Sequence, residues 1–208
     1  MKLLPIFALL SSLALIAAAN TACVPSAYSR PTATASARAT LEVTHDKFRP
    51  DADMVKLSVP DAVQGTVGPS GRPLSASFNI LVLARPPQGS VVTEDVYFSF
   101  SSVSSDSWQY LKCHSLNFLV DGQPVPVGET DHDGSVGRGY VIEYVRFQAP
   151  LSLIERMGQA RSVEAKICNT EFTFKPETLR LMRDFASTVR TGVVPQQPVD
   201  PREGTLGM

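Results

Sequence analysis

Residues 96–101 read V-Y-F-S-F-S, with Val96, Phe98 and Phe100 alternating with Tyr97, Ser99 and Ser101. Successive side chains of an extended strand project to opposite faces, so a period of two sends one row to a core and the other to water. A helix, with its period of 3.6, sorts the same residues onto no single side. The period returns at residues 140–147. There Tyr140, Ile142, Tyr144 and Arg146 alternate with Val141, Glu143, Val145 and Phe147, and both faces are expected to be covered. Phe78 to Ala84 is a near-continuous apolar run of strand length, ended by Pro86-Pro87 and Gly89. Leu116, Phe118 and Val120 point one way, Asp121-Gly122 is a hairpin turn, and the chain returns through Val125 and Val127. Trp108 to His114 reads as extended, and Leu41–Phe48 and Met54–Val59 supply further strands at the front.

The C-terminal part changes character. Ser152 and Glu155 have the spacing of a capping box, in which a hydroxyl and a carboxylate three apart satisfy the free N–H groups at a helix start. Leu153, Ile154 and Met157 give that short helix an apolar side. Val163, Ala165 and Ile167 form a strand, Asn169-Thr170 turns it, and Phe172 and Phe174 return. Pro176 opens a second helix, where its missing N–H costs nothing, and Gly192 follows its end. Leu179, Met182, Phe185, Ala186 and Val189 make its inner stripe. The order predicts a mostly β fold at the α+β border: an antiparallel sandwich-like sheet with a short helix, a hairpin and a C-terminal helix packed against it.

The N-terminus carries a different message. Lys2 precedes an apolar run from Leu3 to Ala19, and small residues lead to Cys23, the order of a secretory signal. Thr21-Ala22-Cys23 resembles the lipobox of bacterial lipoproteins, with Asn20 where an apolar residue is usual. That resemblance implies cleavage before Cys23, acylation of its thiol and new amino group, and a stable membrane anchor. Cleavage after Ala19 or Ala22, leaving Cys23 as a plain thiol, is the competing reading. Val24 is not the aspartate that retains such proteins in the inner membrane, so the resemblance favours the outer membrane, facing the periplasm. Residues 23–40, rich in Ser, Thr, Ala and Pro, read as a flexible spacer. The organisation expected is a signal peptide over 1–22, the spacer, one β-rich domain over 41–190 and a disordered tail over 191–208.

The chain holds 19 basic and 20 acidic residues, a balance that does not suit a nucleic-acid binder. Of its three cysteines, lipidation of Cys23 leaves Cys113 and Cys168, an even number in an oxidising compartment. A disulfide between them would contribute about 3–4 kcal/mol by chain entropy. Two free, half-buried thiols are the alternative.

Three groups of residues invite chemistry. Asp131-His132-Asp133-Gly134 offers two carboxylates and an imidazole to a metal. Asp-x-Asp-Gly resembles the opening of a calcium loop, but the twelfth position from Asp131 is Ile142 where a glutamate should stand; the plainer reading is a solvated turn with Gly134, Gly137 and Gly139. Cys113-His114 suggests a nucleophile and base, yet neighbours on a strand face opposite ways. Trp108, Tyr110, Tyr140 and Tyr144 are candidates for a ligand groove, or for core. No nucleophile elbow, zinc-protease, phosphate-loop or dinucleotide motif is present, and no cofactor is called for.

Trp108-x-Tyr-Leu-x-Cys-His114, Phe118-Leu-Val-Asp-Gly122, Ile154–Ala160 and Val163–Phe174 together resemble uncharacterised bacterial envelope proteins, over roughly Val91 to Arg190. The resemblance implies a location and a layout and no chemistry. The expected function is a non-enzymatic binding or scaffolding module, lipid-anchored through Cys23 in the periplasm or at the cell surface. Its partner would be an envelope protein or ligand, and no nucleic acid. The alternative is a metal-dependent binder or weak hydrolase centred on Asp131, His132 and Asp133.

Overall fold

The structure, a computed structural model, describes residues 38–45, 47–48, 53–68, 71, 78–85, 95–105 and 107–195. Cys23, the signal segment, most of the spacer, Pro86-Pro87-Gly89 and the tail from residue 196 lie outside these. Among the described residues eleven strands and two helices follow in order: β1 Thr40–His45, β2 Asp53–Val59, β3 Val63–Val67, β4 Phe78–Ala84, β5 Asp95–Ser104, β6 Leu116–Val120, β7 Gln123–Gly128, β8 Asp131–Gly137, β9 Tyr140–Pro150, α1 Leu151–Gln159, β10 Val163–Ile167, β11 Thr170–Phe174 and α2 Pro176–Thr191. The first strand and last helix each reach one residue beyond the expected limits of 41 and 190.

Two antiparallel sheets result. One has the order β1-β2-β4-β5-β9-β8, the other β3-β11-β10-β6-β7. The alternation read from the sequence sets their facing sides. Val96, Phe98 and Phe100 of β5 and Val145, Phe147 and Ala149 of β9 are buried, in register at Phe98–Phe147 and Phe100–Val145. Phe118 on β6 and Phe172 and Phe174 on β11 meet them from the other sheet. Phe172 stacks on Phe78 at 4.5 Å between ring centroids, and Phe118 lies 5.9 Å from Phe147. Rings of this size bury much apolar area for few rotatable bonds, which suits a core one side chain deep per layer.

The helix α2 packs beside β2, and α1 packs beside β9 and against α2. Thr178 Oγ1 donates to the Ala62 carbonyl at 2.7 Å, fixing the start of α2 beside β3. The inner stripe of α2 is as expected, with Leu181 added, and Gly192 ends it at φ 71°. A left-handed cap residue of this kind is the usual glycine position. The two helices touch closely at Gly158, whose carbonyl accepts from Arg183 Nε at 2.9 Å.

Five local expectations need correction. The capping box does not form: α1 begins at Leu151 directly from β9, Pro150 is its cap residue, and no side chain bonds the cap. Glu155 instead pairs with Arg190 of α2, which holds its carboxyl below the usual range by hydrogen bonding. Residues 131–137 are a strand, not a turn, because their backbone pairs with β9 from Asp131–Arg146 to Gly137–Tyr140. Residues 108–114 are not a strand: 109–112 bend and turn, and the flanking residues pair with no ladder. The β10–β11 turn falls at Cys168-Asn169, with Cys168 at φ 54°, so Thr170 already belongs to the strand. Last, β3 was not anticipated: Gly65 and two polar side chains interrupt its apolar pattern. The Asp121-Gly122 hairpin stands where expected, both residues at positive φ. Asp121 Oδ1 also accepts from the N–H groups of Arg161 and Ser162, tying the hairpin to the start of β10.

Candidate functional site

The segment between β5 and β6 carries Trp108, Tyr110, Cys113 and His114, and it folds over one end of the sandwich. A bent segment satisfies few of its own N–H groups, here that of Cys113 on the Tyr110 carbonyl at 3.2 Å, so the others need acceptors from elsewhere. Glu143 supplies them. It stands in the inward phase of β9, between Val141 and Val145, and its side chain is 1 % exposed. Its carboxylate accepts from the backbone N–H of Gln109 at 2.6 Å and of Tyr110 at 2.8 Å. The ring nitrogen Nε2 of His132 completes the set at 3.1 Å. A buried carboxylate is tolerated when its lone pairs are filled in this way.

Around this centre the other polar groups are also engaged. His114 stacks on His132 at 5.8 Å, and Trp108 meets the edge of His132 at 5.9 Å. The indole lies so close over Gly134 that a Cβ there would sit 2.5 Å from its ring. Thr130 donates to the His114 carbonyl. Tyr110 is buried and hydrogen-bonded to Thr170; burial pushes its phenol up to about 12, the Thr170 bond opposes that rise, and the charge of Glu143 adds to it. Cys113 and Cys168 are joined as a disulfide, Cα atoms 5.9 Å apart, fastening this segment to the β10–β11 turn.

The structure therefore separates the residues grouped by sequence. On β8, His132 faces inward while Asp131 and Asp133 face outward, the strand alternation the turn reading had overlooked. Asp133 pairs with Arg146 at 3.0 Å and accepts from the Gly134 N–H at 2.7 Å. Among the described residues no group of three His, Cys, Asp or Glu side chains is placed to hold a metal. Cys113 has no thiol to offer His114 while the disulfide is intact. The four aromatics do not share a groove: Trp108 and Tyr110 belong to the covered end, Tyr140 lies against Gly137, and Tyr144 is on the outer face of the six-stranded sheet. Glu143 is the residue sequence reasoning passed over. Its signal was present: a lone carboxylate in phase with Val141, Val145 and Phe147 is placed inside by the period of two.

Among the described residues, open concavities lie on the outer faces of both sheets. One, of about 520 Å³, spans the five-stranded sheet, with Leu119, Pro124 and Pro126 beside Glu164, Lys166 and Glu171. Lys166 and Glu171 are paired there at 2.7 Å. The other is a trough of about 480 Å³ across the middle of the six-stranded sheet. Ser58, Ser99 and Ser101 form its low floor, Tyr97 and Tyr144 rise beside them, and Arg38, Lys56 and Arg146 bring positive charge. The Arg146 guanidinium stacks on the Tyr144 ring at 4.9 Å. Comparison with protein-family models, characterised proteins and solved structures finds no match to this chain.

Proposed function

We propose that the protein is a lipid-anchored envelope module that binds a ligand on an open sheet face and carries out no chemistry on it. One observation carries the binding half of this reading. The groups best suited to catalysis, Glu143, His132 and Cys113, are each committed to a protein partner that holds a surface segment in place. The trough on the six-stranded sheet, by contrast, presents hydroxyls, rings and cations outward. Pockets with a few convergent polar groups on a rigid scaffold are the ordinary form of a binding site. The anchoring half is supported by Thr21-Ala22-Cys23 behind an apolar segment and by the Ser/Thr/Ala/Pro spacer that follows.

Membrane extraction tests the anchor. Native protein expressed from its own signal is expected to resist washing with high salt and alkaline carbonate, to dissolve in detergent, and to move to the soluble fraction in a Cys23→Ser variant. Release by salt alone, or unchanged membrane association of Cys23→Ser, contradicts it.

A further inference from the structure

From the trough on the six-stranded sheet we infer that the ligand is a carbohydrate chain bearing carboxylates; this rests on the binding-module reading above. Four observations converge there. The first is shape. Ser58, Leu81, Ser99 and Arg146 are successive register partners across β2, β4, β5 and β9. Three strand spacings make that row about 14 Å long, room for an oligosaccharide segment lying across the strands. The second is the choice of serine. Central strands favour β-branched and aromatic residues, which pack on their neighbours. Serines at 58, 99 and 101 give up that packing and lower the floor between two tyrosines.

The third is an unanswered hydroxyl. Ser99 is 4 % exposed, and its Oγ has no hydrogen-bond partner among the described residues. A buried hydroxyl costs free energy until something bonds it, and the one open direction is the trough. The fourth is the distribution of charge. Arg38, Lys56 and Arg146 line the trough, and no described carboxylate does. The nearest acids stand on the two edge strands: Glu42 opposite Lys56, and Asp131 and Asp133 opposite Arg146 and Tyr144. Of these, Asp133 pairs with Arg146 at 3.0 Å from outside the trough, and the lining itself carries cations without a carboxylate. Sugars present flat C–H faces to aromatic rings and hydroxyls to serines and asparagine, here Asn79; a carboxylate on the sugar is received bidentately by a guanidinium. The concavity on the other sheet lacks this pattern, since its one lysine stands among two carboxylates of the same lining, Glu164 and Glu171, and two further features are prolines.

The test is isothermal titration of the mature protein with tetragalacturonate, maltotetraose and citrate. Tetragalacturonate is expected to bind, with maltotetraose and citrate each at least tenfold weaker. Arg146→Ala should weaken the acidic sugar tenfold or more. Ser101→Tyr, a strand-compatible ring that fills the floor, should abolish binding without lowering Tm. Lys166→Ala on the opposite sheet should change nothing. Absence of binding, equal affinity for citrate or for the neutral sugar, or unaltered affinity in Arg146→Ala and Ser101→Tyr overturns the inference. Its failure is distinct from failure of the anchor, because the titration is indifferent to Cys23→Ser and the extraction is indifferent to the sugar.

Discussion

Replacing Glu143 by leucine strikes the point where the end segment is held. The carboxylate accepts two backbone N–H groups and one imidazole nitrogen, all within 3.1 Å. A leucine of similar volume leaves those donors facing hydrocarbon. Each orphaned buried donor costs about 1–3 kcal/mol, while removing the buried charge returns part of its desolvation cost. The net loss expected is about 3–5 kcal/mol. A domain of this size loses roughly 2–4 °C in Tm per kcal/mol, which makes the drop on the order of 10 °C. Glu143→Gln keeps one acceptor and should lose about half as much. His132→Ala should cost far less in the Glu143→Leu background than alone, since its partner is already gone. Thermal and urea unfolding under oxidising conditions, followed by tryptophan fluorescence, reads all four variants, and the single tryptophan, Trp108, sits in the cluster itself. A Glu143→Leu protein within about 3 °C of the parent would refute the assignment of Glu143 as the acceptor that secures this segment.

Three other outcomes follow from the same geometry. Cys113 and Cys168 are 55 residues apart in sequence, so reduction, or Cys113→Ser with Cys168→Ser, should lower stability by about 4 kcal/mol in urea unfolding; a loss near zero would show that the loop is not constrained in the unfolded chain. Tyr110 is raised to about 12 in the folded state. Its phenol therefore keeps its proton where the unfolded chain, titrating near 10, has lost it, so stability is full below pH ~10 and falls by about 3 kcal/mol towards pH 12. Tyr110→Phe should flatten that alkaline limb, and an unchanged limb would exclude Tyr110 as its source. Gly158→Ala places a Cβ 2.6 Å from the backbone nitrogen of Arg183. The helices must part, at about 1–2 kcal/mol after the helix-propensity gain of alanine, and a stabilised variant in differential scanning calorimetry would contradict the close approach.

The period of two was enough to locate β5, β6, β9 and β10, because each has an inward row that a shift of one residue would turn to solvent, and the near-continuous apolar run of Phe78–Ala84, ended by Pro86-Pro87, located β4. The helices were legible for a similar reason, with Pro176 and Gly192 marking the ends of α2. What escaped the sequence was tertiary. Residues 131–137 hold Asp131, Asp133, Gly134 and Gly137 as signals for a turn, yet the long β9 offers a free edge and the backbone pairs with it. Ser152 and Glu155 have capping-box spacing, but β9 runs into α1 without the loop a cap requires, and Arg190 from α2 takes the carboxylate. The candidate site was misread for the same cause. Asp131, His132 and Asp133 are adjacent in sequence and therefore opposed on a strand. Their true partners, Glu143 and Arg146, lie across a ladder that no local pattern announces. The trough was written in Ser99 and Ser101, read only as the solvent row of a strand until the register brought Ser58, Tyr144 and Arg146 beside them.

The proposed tether at Cys23 and the Cys113–Cys168 disulfide are both tested by the intact mass of the mature protein from its native membrane fraction. The expected mass is that of residues 23–208 plus acyl chains, gaining two hydrogens on reduction. An unacylated chain that gains none would contradict the anchor and the Cys113–Cys168 bond together.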